Sequence, residues 1–221
     1  MLANPGSSPD FFWPLLTRLG EAQLLLPLAL AGAAWLAWHG GQGTLARRWL
    51  LALAAAVALT TASKLAFLGW GLGLAEWDFT GFSGHAMCAA AVLPVMGWLA
   101  LRGRPWGYGL GLGLAALVAF SRVQVSAHSA SEALSGLVLG AVVSLWTLRG
   151  QFRLRLVLPT WLPAGALALL LLAPVAAPRA RTHDWMVQLS LQLSGRDQPY
   201  TRLQLQRRIH QPERWQAPRP S

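Results

Sequence analysis

Apolar residues run along this chain in long blocks rather than in stripes of period two or 3.6. Six blocks, at about 22–39, 49–70, 84–101, 106–121, 133–148 and 158–177, approach the roughly 20 apolar residues a helix needs to cross a bilayer. The fourth and fifth are short, and functional residues at their ends are expected to extend them. Trp35, Trp38, Trp49, Trp70, Trp98, Trp106, Trp146 and Trp161 fall at or near block ends, where aromatic belts meet lipid headgroups. Residues 9–20, PDFFWPLLTRLG, are apolar and aromatic but too short to span, which suits an interfacial helix. From about 178 the chain turns polar and rich in Arg, Gln and Pro, and around Trp185–Leu193 strand and helix stay equally open. The pattern predicts an all-α polytopic membrane bundle of about six spans over residues 1–177, led by an interfacial helix and followed by a polar basic tail over 178–221.

Composition sharpens this picture. Hydrophobic residues make up 54% of the 221 and charged ones 12%, where a soluble domain carries about 25% charge. The net charge of +10 comes almost wholly from arginine, since Lys64 is the sole lysine. These arginines flank the blocks and form no continuous basic face, so they read as topology signals and phosphate ligands, and nucleic-acid binding is not expected. Arg47 and Arg48, Arg102 and Arg104, and Arg149, Arg153 and Arg155 occupy alternate loops. The positive-inside rule makes that side cytoplasmic and turns the ends carrying Lys64, Ser83–His85 and Arg122–Glu132 toward the periplasm or exterior of a bacterial inner membrane. Arg179 and Arg181, just past the sixth block on the outer side, run against that bias. Cys88 stands alone in an apolar run, so neither an internal disulfide nor a Cys/His metal site is expected. The first residues have no basic stretch and no cleavage pattern, and the first span is expected to serve as the targeting signal.

Glycines at 107, 109, 111 and 113 lack the strand, turn and lysine of a nucleotide loop, and fit close helix packing in lipid. The chemistry lies elsewhere, at block ends. Lys64 sits inside the second block; alone it would be a lysine snorkelling to the interface, but charge within a membrane is expensive and tends to be functional. Ser83-Gly84-His85 opens the third block, where a serine cap, an open glycine and the first amides of a helix make an anion site. His85 could protonate a leaving oxygen. Ser121-Arg122 closes the fourth block, and Arg122 presents the planar fork that suits phosphate oxygens. His128 and Glu132 open the fifth with i, i+4 spacing, which lets the carboxylate set the imidazole tautomer. The three sites share one predicted face of the bilayer. Together they hold what phosphoryl transfer to histidine requires: cations for the equatorial oxygens, a nucleophile and an acid.

These segments resemble the type-2 phosphatidic acid phosphatase family of membrane lipid phosphatases and vanadium haloperoxidases, whose signatures are Lys-x6-Arg-Pro, Pro-Ser-Gly-His and Ser-Arg-x5-His-x3-Asp. The third reads here Ser121-Arg122-Val-Gln-Val-Ser-Ala-His128-Ser-Ala-Ser-Glu132, and the second Phe82-Ser83-Gly84-His85. Thr17-Arg-Leu-Gly20 is similar to a stretch that often precedes the core spans of that family. The resemblance covers roughly residues 17–148. It implies that His128 is the nucleophile oriented by Glu132, and that His85 is the general acid. Lys64, Ser83, Gly84, Ser121 and Arg122 would hold the phosphate of a membrane lipid, with neither metal nor cofactor. Glu132 stands for the family's Asp, and Phe82 for its Pro. Seven and eight residues after Lys64, Gly71 and Leu72 stand where Arg-Pro is expected. Arg104-Pro105 lies on the other face, so Arg18, Arg181 or Arg196 are the candidates to supply the missing cation. The competing reading is a membrane protein that keeps the fold without activity and binds an anionic lipid or a partner. A transporter using Lys64 and Glu132 as relays explains neither the Ser-Gly-His helix start nor the Ser-Arg pair.

Overall fold

The computed structural model of the chain describes residues 9–38, 41–151 and 182–210. Among them the regular structure is helical, with one isolated bridge between Leu74 and Phe79. Helices α1 (Pro9–Arg18) and α2 (Ala22–Trp38) are followed by the long α3 (Gly43–Trp70) and a short 3-10 turn (Ala75–Trp77). Then come α4 (Gly84–Ala100), α5 (Pro105–Gln124) and α6 (Ala130–Leu148), and, in the tail, α7 (Thr182–Ser194) and α8 (Arg202–His210). The Trp185–Leu193 segment is therefore helix.

By length and composition α3, α5 and α6 can cross a membrane, and α1 with α2, bent by 40°, would make a fourth span. α4 is apolar but has only 17 residues. Six spans are more than these helices show, and the block at 158–177 lies outside the described residues, as do Arg153, Arg155, Trp161, Arg179 and Arg181.

α4 is the axis of the bundle, packed by α2, α3, α5 and α6. Its sequence explains this: GHAMCAAAVLPVMGWLA is apolar on every side, as a fully surrounded helix must be. Its alanines at 86, 89, 90 and 91 are completely buried and let neighbours come close. At the α4–α5 crossing, a Cβ on Gly111 would run into the backbone of Leu93, whereas Gly109 and Gly113 face open space. Half of that glycine repeat is thus a packing device, and small residues allow close helix contact where hydrophobic driving force between helices is weak.

The aromatic belt is only partly where the block ends suggest. Trp38, Trp70, Trp106 and Trp146 are exposed, but Trp49 and Trp98 are fully buried and Trp35 nearly so. Trp49 lies inside α3 rather than at its start, because the helix begins six residues earlier through the polar Gly43–Arg48 segment. Its indole N–H donates to Ala91 O of α4 at 3.1 Å. At the same end Arg48 donates to Thr147 O and, at 3.3 Å, to Arg149 O, tying the start of α3 to the end of α6. The arginine-bearing loops thus gather at one end of the bundle, opposite the end that carries the candidate site.

The tail docks on that opposite end. α7 lies along α3, where Gly69 meets Ser190 and Ser194. The Tyr200 amide donates to Leu68 O at 2.9 Å, and Tyr200 and Leu205 bury against Phe67 in a small satellite cluster.

Candidate active site

Four helix ends converge here. α3 ends at Gly71, whose φ of +67° places it in the left-handed region and whose amide closes the helix onto Phe67 O at 2.7 Å. This is the position where the resemblance expects arginine. A non-glycine residue there would adopt a conformation that L side chains rarely take. Lys64, seven residues earlier, is half-buried, and a helix of 28 residues is about 42 Å long, so its last turns reach beyond a hydrocarbon core of about 30 Å.

Ser83 occupies the N-cap position of α4 in extended conformation. Its own amide donates to Glu132 O at 3.1 Å, which fixes the start of α4 against the start of α6. That contact needs Gly136, since a Cβ there would sit 2.5 Å from Ser83 O. The Ser83 hydroxyl caps nothing: it is buried without a hydrogen-bond partner among the described residues. The Phe82 amide donates to Ser63 Oγ at 3.2 Å, a bond that the family's proline could not make.

His85 follows in the first turn of α4, and Gly20 of the α1–α2 turn presses on it, with room for no side chain. From the last turn of α1, Thr17 Oγ1 accepts from Arg122 NH1 at 2.9 Å. Arg122, in the last turn of α5, leaves its Nε buried and unpartnered among the described residues. Thr17 and Gly20 therefore hold a cation and an imidazole of the site. Ser121 is buried and donates to Val118 O at 2.6 Å within its own helix, so its hydroxyl proton is turned away from Arg122.

At the start of α6, Ser129 and Glu132 form a reciprocal capping box, with Ser129 as N-cap. His128 therefore precedes the helix rather than sharing a helical face with Glu132, and the pair meets across the helix start. His128 Nδ1 lies 2.7 Å from Glu132 Oε2. Glu132 is wholly buried, and every group around its carboxylate is a donor. Oε1 accepts from the Thr80 amide at 2.8 Å and from the Thr80 hydroxyl. Oε2 accepts from the Ser129 amide at 3.2 Å, and Arg202 NH2 reaches both oxygens at 2.9 Å. An acceptor-only carboxylate beside Nδ1 requires the proton on Nδ1, which leaves the Nε2 lone pair open.

Charge completes the site. Lys64 is within electrostatic reach of Glu132 and Arg122, and His85 of Arg122, His128 and Lys64. The structure thus brings Lys64, His85, Arg122, His128 and Glu132 together, with Ser83 and Gly84 at the adjoining helix start. Burial, chiefly, holds the His128 imidazole below its ordinary value; the Glu132 bond opposes this, and Lys64 and Arg122 reinforce it. His128 is therefore held toward its neutral form near pH 7.

Arg202 was not anticipated from the sequence. Besides Glu132 it bonds the Asp78 carboxylate and, at 3.2 Å, Asp78 O, while Gln206 Nε2 donates to Asp78 Oδ1 at 3.2 Å. Of the candidates for the missing cation, Arg18 pairs with Glu21 at 3.3 Å and Arg196 stacks over Tyr200 at 4.2 Å; Arg181 lies outside the described residues. Nothing local marks Arg202 in a tail of several arginines. Thr80 and Asp78 carry no motif either.

Comparison with known proteins bears on the family of the chain. The family model of the PAP2 superfamily matches residues 58–156, a stretch that runs from before Lys64 to beyond Glu132. A 22.5 kDa protein from the cps region of Klebsiella pneumoniae, itself uncharacterized, is 37% identical over 204 residues, covering 87% of this chain and 97% of the relative. No solved structure matches significantly. The shared stretch contains every helix end that builds the site from Lys64 to Glu132, and the chain belongs to the PAP2 superfamily, whose members include phosphatases.

Proposed function

We propose that the protein hydrolyses a lipid phosphate or diphosphate through a phosphohistidine intermediate, without metal, at the outer face of a bacterial inner membrane. The observation that carries this reading is the His128–Glu132 pair: a protonated Nδ1 held at 2.7 Å by a saturated carboxylate, with the Nε2 lone pair left for attack. Nε2 attacks phosphorus, the bond to the leaving oxygen breaks, and His85 gives that oxygen its proton. Water then attacks the phosphohistidine, His85 takes the water's proton, and the P–N bond breaks to restore Nε2. Glu132 stabilises the imidazolium character that develops on His128 in both steps.

Lys64, Arg122, the Ser83 hydroxyl and the Gly84 amide hold the phosphate oxygens. Ser121 closes the helix turn beside Arg122. The unpartnered Ser83 Oγ and Arg122 Nε support this assignment, because buried polar atoms normally have partners and a bound phosphate would supply them. The placement of the site at the ends of membrane-capable helices supports a lipid substrate, whose headgroup would lie near those ends. The arginine-bearing loops at the other end support the periplasmic orientation.

The reading is tested by phosphate release from a panel of lipid phosphates and diphosphates, using purified protein in detergent with EDTA beside His128→Ala. Release that survives EDTA and vanishes in the variant is expected. Absence of release from every lipid by folded protein would favour the competing reading, a family member without activity that binds an anionic lipid or partner. The glycine at position 71 in place of the family's arginine is what would favour it.

A further inference from the structure

The described part of the tail reaches the site at one residue. Tyr200 and Leu205, buried against Phe67, anchor the start of α8 to the end of α3, and Arg202 lies between those anchors. Its side chain is one-third exposed, yet its guanidinium bridges two carboxylates, Asp78 and the wholly buried Glu132. Asp78 takes up one arm of the fork through Arg202 NH1, so NH2 is aimed at Glu132 and meets both its oxygens.

We propose that Arg202 is a positioning residue for the nucleophile, setting both the rotamer and the effective charge of the carboxylate that holds His128. This rests on the phosphohistidine reading for its catalytic consequence, but its physical basis is independent of it. Glu132 Oε2 divides its lone pairs among His128 Nδ1–H, the Ser129 amide and Arg202. Donation from a cation draws electron density from the carboxylate and weakens its pull on the imidazole proton. The other charged groups around His128 are Lys64 on α3, His85 on α4 and Arg122 on α5, with Glu21 behind Arg122 and Asp78 behind Arg202. Lys64 and Arg122 act on His128 directly, whereas Arg202 acts through Glu132. Burial lowers the His128 titration, and the fork keeps the Glu132 bond from undoing that.

The experiment uses full-length protein in detergent with isotope-labelled histidine. The His128 resonance is assigned by its loss in His128→Ala and titrated in wild type, Arg202→Gln and Arg202→Lys. Removing the charge in Arg202→Gln is expected to raise the His128 midpoint by about one pH unit, and the acid limb of kcat/KM with it. Arg202→Lys keeps the charge and loses the fork, so its midpoint stays near wild type while kcat falls about tenfold, with KM changed less than about twofold. An unshifted His128 midpoint in Arg202→Gln, with the His85 resonance unchanged as evidence of the native site, would overturn the proposal. Should Arg202→Gln fail to fold, wild-type kcat in Arg202→Lys would overturn it. The titration decides the matter even in a protein that releases no phosphate, which separates failure of this inference from failure of the phosphatase reading.

Discussion

Replacing Glu132 by glutamine preserves shape and exchanges one acceptor oxygen for an NH2 donor. In one orientation the new donor faces the Thr80 amide and Arg202; in the other it faces the Ser129 amide, His128 and Arg202. The Thr80 hydroxyl and the imidazole can each adapt by turning or changing tautomer, but the backbone amides and the guanidinium cannot. A buried donor left without a partner costs about 1–3 kcal/mol, and the guanidinium also loses one of its two counter-charges, keeping Asp78. Together these should destabilise the fold by about 1–3 kcal/mol, the cost of a buried donor without a partner, since Asp78 still pairs with Arg202. Catalysis suffers separately. A glutamine amide facing His128 moves the imidazole proton to Nε2, where it blocks attack, and mis-set tautomers of this kind cost about 10⁴-fold in kcat. Thermal unfolding in detergent reads the first effect, and phosphate release from a lipid phosphate reads the second. A folded Glu132→Gln variant with a rate within about tenfold of wild type and an unchanged melting temperature would refute the role given to this carboxylate.

Gly136→Ala places a methyl 2.5 Å from Ser83 O, so the start of α4 must retreat; a displacement near 1 Å should lower kcat about 100-fold while the protein still folds, checked by rate and melting curve together. Thr17→Val removes the acceptor for Arg122 NH1 without changing side-chain shape, and is expected to raise KM several-fold with kcat less affected, as measured by initial rates over a range of substrate concentration. Attack needs neutral His128, whose value burial holds below the ordinary 6.5, so the acid limb of kcat/KM should have its midpoint below pH 6.5. In the window between 6.5 and that lower value the unfolded chain binds a proton that the folded one refuses. Stability should therefore decline as pH falls through it, and chemical denaturation at a series of pH values tests this.

Much of the site is legible in the chain because its chemistry is local. Ser83, Gly84 and His85 are consecutive, and His128 and Glu132 are four apart, so helix starts and short spacings reveal them. The block pattern locates α2 to α6 for the same reason, since each helix is a continuous run of neighbours. Hydropathy loses α3 at its start because Gly43–Arg48 is polar yet helical, held there by the bond from Arg48 to the end of α6. The same kind of distant contact hides the burial of Trp49 and Trp98, which look like belt residues until α4 and its neighbours close around them. Arg202 is the extreme case. It meets Glu132 across 70 residues and Asp78 across 124, and no periodicity or spacing links them. The glycine at position 71 signals an absence in the first signature, but only three-dimensional packing shows which arginine stands beside the carboxylate.

The distance between Glu132 and Arg202 along the chain also sets an order of events. Thr80, His128 and Ser129 have all left the ribosome when Glu132 emerges or appear just before it, whereas Arg202 follows 70 residues later. At the usual 5–20 residues per second, that interval lasts roughly 4–14 s. Throughout it, the Glu132 carboxylate has the donors of Thr80, His128 and Ser129 available in the chain already made, but not the Arg202 guanidinium. A chain that packs its helices as it is made would therefore complete the electrostatics of the candidate site last, once the tail docks.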